Sequence, residues 1–195
     1  MQTILVTGGA GFVGARLVRQ LVVDGREIAL VVQPQTDLSR IRDLLPHVRL
    51  ITSDLTDRVA VQKFFKAEKP EGVFHLAASV IMSGHLASAD EVIRTNFLGT
   101  VNLLDAAGEA NCRFFVQAGS SFEYGIGTRP FSEDDHCRPI ELYGVTKLAA
   151  TRYGQALALE KKLPVVTLRL FTPYGPRIKR GRMVEQIISN ALAGR

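Results

Sequence analysis

Tyr143 and Lys147 stand four residues apart in a stretch of helical period, which puts a phenol and an ammonium on one face, one turn apart. An ammonium beside a phenol, with an oxidised nicotinamide near it, favours the phenolate and lowers the tyrosine pKa. A tyrosine tuned in this way exchanges a proton with a carbinol or a ketone at neutral pH. Ser120, just past a predicted strand, can hydrogen-bond the same reacting oxygen while hydride passes between a substrate carbon and the nicotinamide. Ser120, Tyr143 and Lys147 are the candidate catalytic residues. The plainer alternative is an ordinary Tyr–Lys pair on a helix surface.

A nicotinamide needs a site for its dinucleotide, and residues 3–14, Thr-Ile-Leu-Val-Thr-Gly-Gly-Ala-Gly-Phe-Val-Gly, supply one. Residues 4–6 are an apolar, β-branched run that predicts a buried strand. From Phe12 the apolar period becomes helical, through Val13, Leu17, Val18, Leu21 and Val22. Between strand and helix, Gly8 allows the tight turn, Gly11 lets a pyrophosphate approach the backbone, and Gly14 permits close packing. The helix start adds unpaired N–H groups and the positive end of its dipole.

The elements that position these groups follow in a regular alternation. Further strands are predicted at 27–32, 48–52, 72–77, 114–116 and 165–170. Helices are predicted from 56–57 up to Pro70, over 90–110, over 142–159 and over 183–193. Strands alternating with helices imply a parallel sheet covered on both faces, with ligands outside the carboxyl ends of its strands. Gly8, Asp54, Ala77, Ser120 and Thr172 all fall just past strand ends. Asp54 is placed to accept from an adenine amino group, and it can also cap the next helix. No acid stands at Val32 or Gln33, where one would bind the adenosine ribose. Arg40 and Arg42 follow and can approach a 2′-phosphate, so the cofactor is NAD or NADP with a lean to NADP; the other reading of both arginines is an exposed helix face. His75, among apolar strand neighbours, reads as structural.

Composition bounds the rest. The chain has 195 residues, 46% hydrophobic and 22% charged, which allows one domain with a sizeable core of ordinary soluble type. No apolar run approaches a membrane span, and the first strand leaves no room for a signal peptide. Cys112 and Cys137 have no metal-ligand spacing, so no metal site is expected, and a reducing cytoplasm is. Net charge is +5, and five cations from Gly175 onward (Arg177, Lys179, Arg180, Arg182, Arg195) stand against Glu185 alone. That cluster suits a phosphorylated small substrate or a solvated loop; without a supporting motif, nucleic acid ranks last.

Taken together, these residues resemble the extended short-chain dehydrogenase/reductase family, in its NAD-dependent epimerase/dehydratase branch acting largely on nucleotide-sugars. The resemblance rests on the Thr7 to Gly14 motif, Asp54-Leu55, His75-Leu76-Ala77-Ala78, Asn96, Ser120, Tyr143-Gly-Val-Thr-Lys147 and the run from Arg169 to Pro176. It implies an α/β doubly wound parallel sheet (Rossmann) in strand order 3-2-1-4-5-6. Tyr143 would be the general acid/base, Lys147 would orient the nicotinamide ribose, and Ser120 would polarise the reacting oxygen. Cofactor contacts are carried to Gly8, Gly11, Phe12, Val13, Gly14, Gln33, Asp54, Leu55, Leu76, Ala77, Ala78, Asn96, Tyr143, Lys147 and Phe171. Substrate contacts are carried to Ser121, Thr172 and Arg177. A homodimer through the helices near 90–110 and 142–159 is implied as well.

Two departures shape the functional expectation. Sugar 4,6-dehydratases carry Asp-Glu directly after the catalytic Thr or Ser, whereas this chain has Ser121 and Phe122, with Glu123 one place further on. A dehydratase is therefore not expected. Family members also continue for roughly another hundred residues into a small substrate domain, so residues 1–195 read as the dinucleotide-binding domain with that substrate domain largely absent. The expected activity is an NAD(P)-dependent nucleotide-sugar epimerase or 4-ketoreductase. The alternatives are a dinucleotide-binding sensor or partner protein without turnover, or an N-terminal part of a longer epimerase.

Overall fold

The computed structural model describes residues 3–80, 86–178 and 181–194, with the side chains of 86–88 excepted. Six parallel strands form one sheet: β1 (Thr3–Thr7), β2 (Glu27–Val32), β3 (Arg49–Thr52), β4 (Gly72–His75), β5 (Phe114–Ser120) and β6 (Val165–Leu170). Their order is β3-β2-β1-β4-β5-β6, the Rossmann arrangement. All five pairings are parallel, and Leu5 lies opposite both Ala29 and Val73 in the central three strands.

Alternation along each strand sends side chains to two cores. Leu5, Ala29, Val31, Val73 and Phe115 face α2 (Arg58–Glu68), α4 (Gly99–Glu109) and α5 (Leu142–Lys161), through Phe64, Phe65, Leu103, Leu104 and Leu157. Ile4, Val6, Ile28 and Leu30 face α1 (Phe12–Val23) and a 3-10 segment, Ser39–His47, through Val18, Leu21, Ile41 and Leu44. Coverage is not complete on both faces, as the alternation had predicted. On β6, Val166 and Leu168 stand 49% and 46% exposed, and α6 (Met183–Leu192) has no buried residue.

Three boundary differences from the sequence expectation bear on the site. β4 ends at His75 because the chain then turns onto the glycine loop: Leu76 N–H donates to the Thr7 carbonyl at 3.1 Å and Ala77 N–H to Thr7 Oγ1 at 3.3 Å. β5 runs four residues past the predicted 116, since β6 pairs with Ala118, Gly119 and Ser120 despite their weak strand propensity. The predicted helix over 90–110 starts earlier, at α3 (Leu86–Ile93), and joins α4 through a π-helical turn, Arg94–Leu98.

Gly8 leaves no room for a side chain where β1 meets the end of β4. Its φ is +69°, and a Cβ added there would lie 2.5 Å from both the Leu76 carbonyl carbon and the Ala77 nitrogen. Gly8→Ala is expected to cost about 2–4 kcal/mol, from a left-handed backbone angle plus overpacking against main chain that cannot rotate away. Urea unfolding measures this; a variant as stable as the parent would mean that β1 and β4 part without cost.

Candidate functional site

A groove of about 410 Å³ opens along the carboxyl ends of β1, β2, β3 and β4. Of the residues carried over for the cofactor, Gly8, Gly11, Gln33, Asp54, Leu55, Leu76, Ala77 and Ala78 line it. α1 begins beside it at Phe12 with Gly11 as N-cap, which has no side chain to cap the first-turn N–H groups. Gly14 is buried behind the turn, where an added Cβ would meet the Gly8 carbonyl oxygen at 2.2 Å. The fit to a dinucleotide is therefore physical: a glycine cradle with no side chains in the way, at a helix start that favours negative charge.

Other carried-over residues lie elsewhere. The Phe12 ring turns away from the groove towards Pro176 and Arg177, and Val13 is half-buried on α1. Asn96 is fully buried in the π-helical turn. Its Oδ1 accepts from Ser79 N–H at 2.7 Å, and its Nδ2 donates to the Ser79 carbonyl at 2.9 Å and to Thr146 Oγ1 at 3.4 Å. Asn96 thus pins Ser79, which does line the groove, and does not reach it itself. Arg40 and Arg42 are absent from the groove too. They line a separate open depression with Ser39, Asp43 and Arg177.

Sequence reasoning missed Thr36, Asp37, Thr56, Glu91 and Thr95, all of which line the groove. Asp37 is the informative one. It stands past Gln33, because the chain first makes a turn in which Thr36 N–H donates to the Gln33 carbonyl at 3.0 Å. Its carboxylate accepts from the Ser39 N–H and hydroxyl, both at 2.9 Å. These bonds, with Arg40 and Arg42 nearby, hold its pKa below the usual carboxylate range. A fixed count from Gly14 looks for an acid at Gln33 and passes over this one.

Ser120, Tyr143 and Lys147 are brought together. β5 continues three residues beyond Gln117, the partner of His75, so Ser120 stands about 10 Å further along the sheet edge than the end of β4. There it meets the first turn of α5, and its hydroxyl acts on the Tyr143 phenol in the direction that favours the phenolate. Ser120 Oγ accepts from Phe122 N–H at 3.2 Å, which leaves its proton free to donate. The Phe122 ring stands edge-on to Tyr143, centroids 5.9 Å apart. Burial raises the Tyr143 pKa above its ordinary value, the Ser120 hydroxyl pulls it back, and the charge of Glu123 adds to the rise. In the protein alone this is the reverse of the lowering expected from Lys147: burial of the phenolate dominates, and the Ser120 hydroxyl, not Lys147, is the group that pulls the pKa back.

Lys147 is 4% exposed on the inner face of α5, among Gly144, Thr146, Ala150 and Thr151. Burial pushes its ammonium down to about 8, against Glu123, which favours the charge. Among the described residues no side chain hydrogen-bonds that ammonium. A buried donor of this kind suits ribose hydroxyls. His75 is structural, as its setting predicted. Thr100 donates its own proton to the Asn96 carbonyl at 2.7 Å, so its oxygen accepts from His75 Nε2–H at 2.8 Å, and His75 Nδ1 then accepts from Thr7 at 2.7 Å. Burial, with Lys147 nearby, pushes the imidazole down to about 3, so it stays neutral.

The expected substrate residues are spread out. Ser121 opens the short turn after β5, while Thr172 is exposed just past β6, beside Phe171, which was carried over for the cofactor and is exposed as well. Arg177, at φ +70°, lies in the depression with Arg40 and Arg42 and not beside Tyr143. Lys179, Arg180 and Arg195 of the basic cluster lie outside the described residues. Among the described residues no group of His, Cys, Asp or Glu could hold a metal, and no helix is long and apolar enough to cross a membrane.

Comparison with known proteins follows this geometry. A family model described as the NAD dependent epimerase/dehydratase family matches residues 4–195. The UDP-N-acetyl-alpha-D-glucosaminuronate decarboxylase of Bacillus cytotoxicus is 34% identical over 203 residues, covering 97% of this chain and 61% of that protein. A dTDP-glucose 4,6-dehydratase of Neisseria gonorrhoeae is 31% identical over 211 residues, covering 100% and 61%. Among solved structures, a UDP-glucuronic acid 4-epimerase of Bacillus cereus in complex with NAD has a TM-score of 0.83 at 27% identity, covering 99% of this chain and 64% of that one. The chain spans about six-tenths of the length of the relatives it matches.

Proposed function

The chain belongs to the NAD dependent epimerase/dehydratase family, and from that premise we propose that it is the cofactor-binding part of an NAD-dependent enzyme acting at a sugar carbon of a nucleotide-sugar. The observation that carries this reading is the meeting of Ser120, Tyr143 and the buried Lys147 at the edge of the sheet that holds the groove. When bound, the cofactor supplies a hydride acceptor and donor. Tyr143 gives or takes the proton of the substrate's hydroxyl or ketone, and Ser120 donates its free proton to the same oxygen. Lys147 would hold the nicotinamide ribose, and its charge would favour the phenolate when a proton must be taken up. The glycine turn and the start of α1 bind the pyrophosphate, and Asp54 accepts from the adenine amino group.

NAD is the cofactor in this reading. Asp37, Gln33 and Thr36 line the groove beside β2, where an acid suits a free 2′-hydroxyl and repels a 2′-phosphate. The arginines that had favoured NADP lie in the other depression. Within this reading, an epimerase, a reaction found among the relatives, or a 4-ketoreductase fits best. Phe122, not a carboxylate, stands against Tyr143, and the carboxylate of Glu123 is taken up by Ser120, Thr151 and Arg169. Water elimination needs a second acid and base that this arrangement does not offer. We extend the reading to a homodimer in a reducing cytoplasm, supported by the free Cys112 and Cys137 and by Ile93, Leu98, Val145 and Leu159, exposed apolar side chains on the 86–109 helical run and on α5.

The test is nicotinamide absorbance during incubation with a panel of nucleotide-sugars and their 4-keto forms, NADH and NADPH being tried separately. Inversion at the sugar carbon without net absorbance change supports an epimerase; net oxidation of NADH supports a ketoreductase. Binding of NAD with no conversion of any substrate would sink the enzyme reading for this chain.

A further inference from the structure

The turn after β5 contains a buried carboxylate that the proposed reaction does not use. Glu123 is 0% exposed. Its Oε1 accepts from the Ser120 N–H at 2.8 Å. Its Oε2 accepts from Thr151 Oγ1, on α5, and from Arg169 Nε, on β6, each at 3.0 Å. One side chain therefore joins the tip of β5, the inner face of α5 and the edge strand. Ser120 closes the same turn from the other side by accepting from Phe122 N–H. Arg169 is held in its turn, donating to the Tyr124 hydroxyl at 3.0 Å and to the Glu133 carbonyl at 3.1 Å.

Burying an ionised carboxylate costs several kcal/mol before its partners are counted. An apolar residue could fill this space without that cost. It could not hold the Ser120 N–H, and it would bring no negative charge near Tyr143 and Lys147. We infer that Glu123 is a positioning residue for Ser120, Tyr143 and Lys147, fixing Ser120 through its backbone and setting a buried negative charge beside the phenol and the ammonium. The inference rests on the reading of those three as the reacting group.

The direction of the charge effect follows from its surroundings. Glu123 favours the protonated form of both Tyr143 and Lys147. Among the described residues, the other charged or titratable groups around the pair and Glu123 are His75 on β4, neutral by burial, and Arg169 on β6 with Tyr124 and Cys137 near it. Glu91 on α3 is engaged with the Ser79 hydroxyl. Glu123 is thus the buried negative charge that acts on both members of the pair, and Arg169 is its counter-charge.

The test needs neither cofactor nor substrate, so it stands apart from any activity assay. Phenolate absorbance is titrated in the parent and in Tyr143→Phe, and the difference isolates Tyr143. The same subtraction is then made in a Glu123→Gln background. Glu123→Gln is expected to move the Tyr143 transition to lower pH and to speed hydrogen exchange at the Ser120 amide. Arg169→Gln, which leaves Glu123 without its counter-charge, is expected to move the transition the opposite way. Thr151→Val removes one hydrogen bond and no charge, and should lower the unfolding temperature without moving the transition. A folded Glu123→Gln protein with unchanged Tyr143 titration and unchanged Ser120 exchange would reduce Glu123 to a structural residue and overturn the inference. If Glu123→Gln does not fold, the sign of the shift in Arg169→Gln decides: a rise supports the inference, and no movement overturns it.

Discussion

Tyr143→Phe is expected to slow hydride transfer by about 100- to 10,000-fold, the usual worth of a positioned acid or base. The ring itself should stay in place. Phenylalanine keeps the edge-on contact with Phe122 and loses only the hydroxyl that faces Ser120. The loss should therefore fall on the chemical step and leave NAD affinity and unfolding temperature close to the parent's. Single-turnover nicotinamide absorbance, with NAD binding measured alongside, separates the two. A variant that transfers hydride at the parent's rate would show that the proton travels by another group.

Lys147→Met is expected to do opposite things to stability and to function. Burial sets the folded-state pKa of Lys147 at about 8, against an ordinary value of 10.5. Between these values the unfolded chain binds more protons than the folded one, so stability rises with pH from about 8 towards 10.5. Below 8 the folded protein carries the whole cost of the buried ammonium, about 3 kcal/mol for a shift of this size. Methionine fills a similar volume without the charge. It should stabilise the protein at pH 7 by about 1–4 kcal/mol, within the range seen when buried charges give way to apolar residues. The rise of stability between pH 8 and 10.5 should flatten at the same time. Hydride transfer should fall steeply, since neither the ribose nor the phenolate then has its cation. Denaturant unfolding at pH 7 and near pH 10 provides the check. A less stable variant at pH 7 would mean that the ammonium is compensated where it lies.

These opposed effects describe a site whose reactive groups are costly to bury and are held by neighbours that do no chemistry. Asn96 fixes Ser79 at the groove, His75 ties β1 to α4 as a neutral bridge, and Glu123 joins three elements behind Ser120. Such buried polar networks rigidify a site when every member is satisfied.

The sequence by itself determined the strand and helix alternation, the glycine turn and the i, i+4 spacing of Tyr143 and Lys147, while the order of the strands came only from the family resemblance. Those features are encoded locally: apolar period, turn glycines and an i, i+4 spacing act within a few residues and survive any detail of packing. It also located Ser120 at the end of β5, although not that β6 would draw the strand out to reach it. The tertiary structure decided which polar groups meet. Asn96 and Asp37 each follow a motif closely enough to be expected on the groove or overlooked for it. Only the path of the chain turned one into the core and brought the other to the groove. Arg40 and Arg42 went to a separate depression, and Glu123 found Arg169 forty-six residues away. Contacts between distant residues depend on lateral strand register and on the side from which each helix packs, and no short stretch of the chain carries that information.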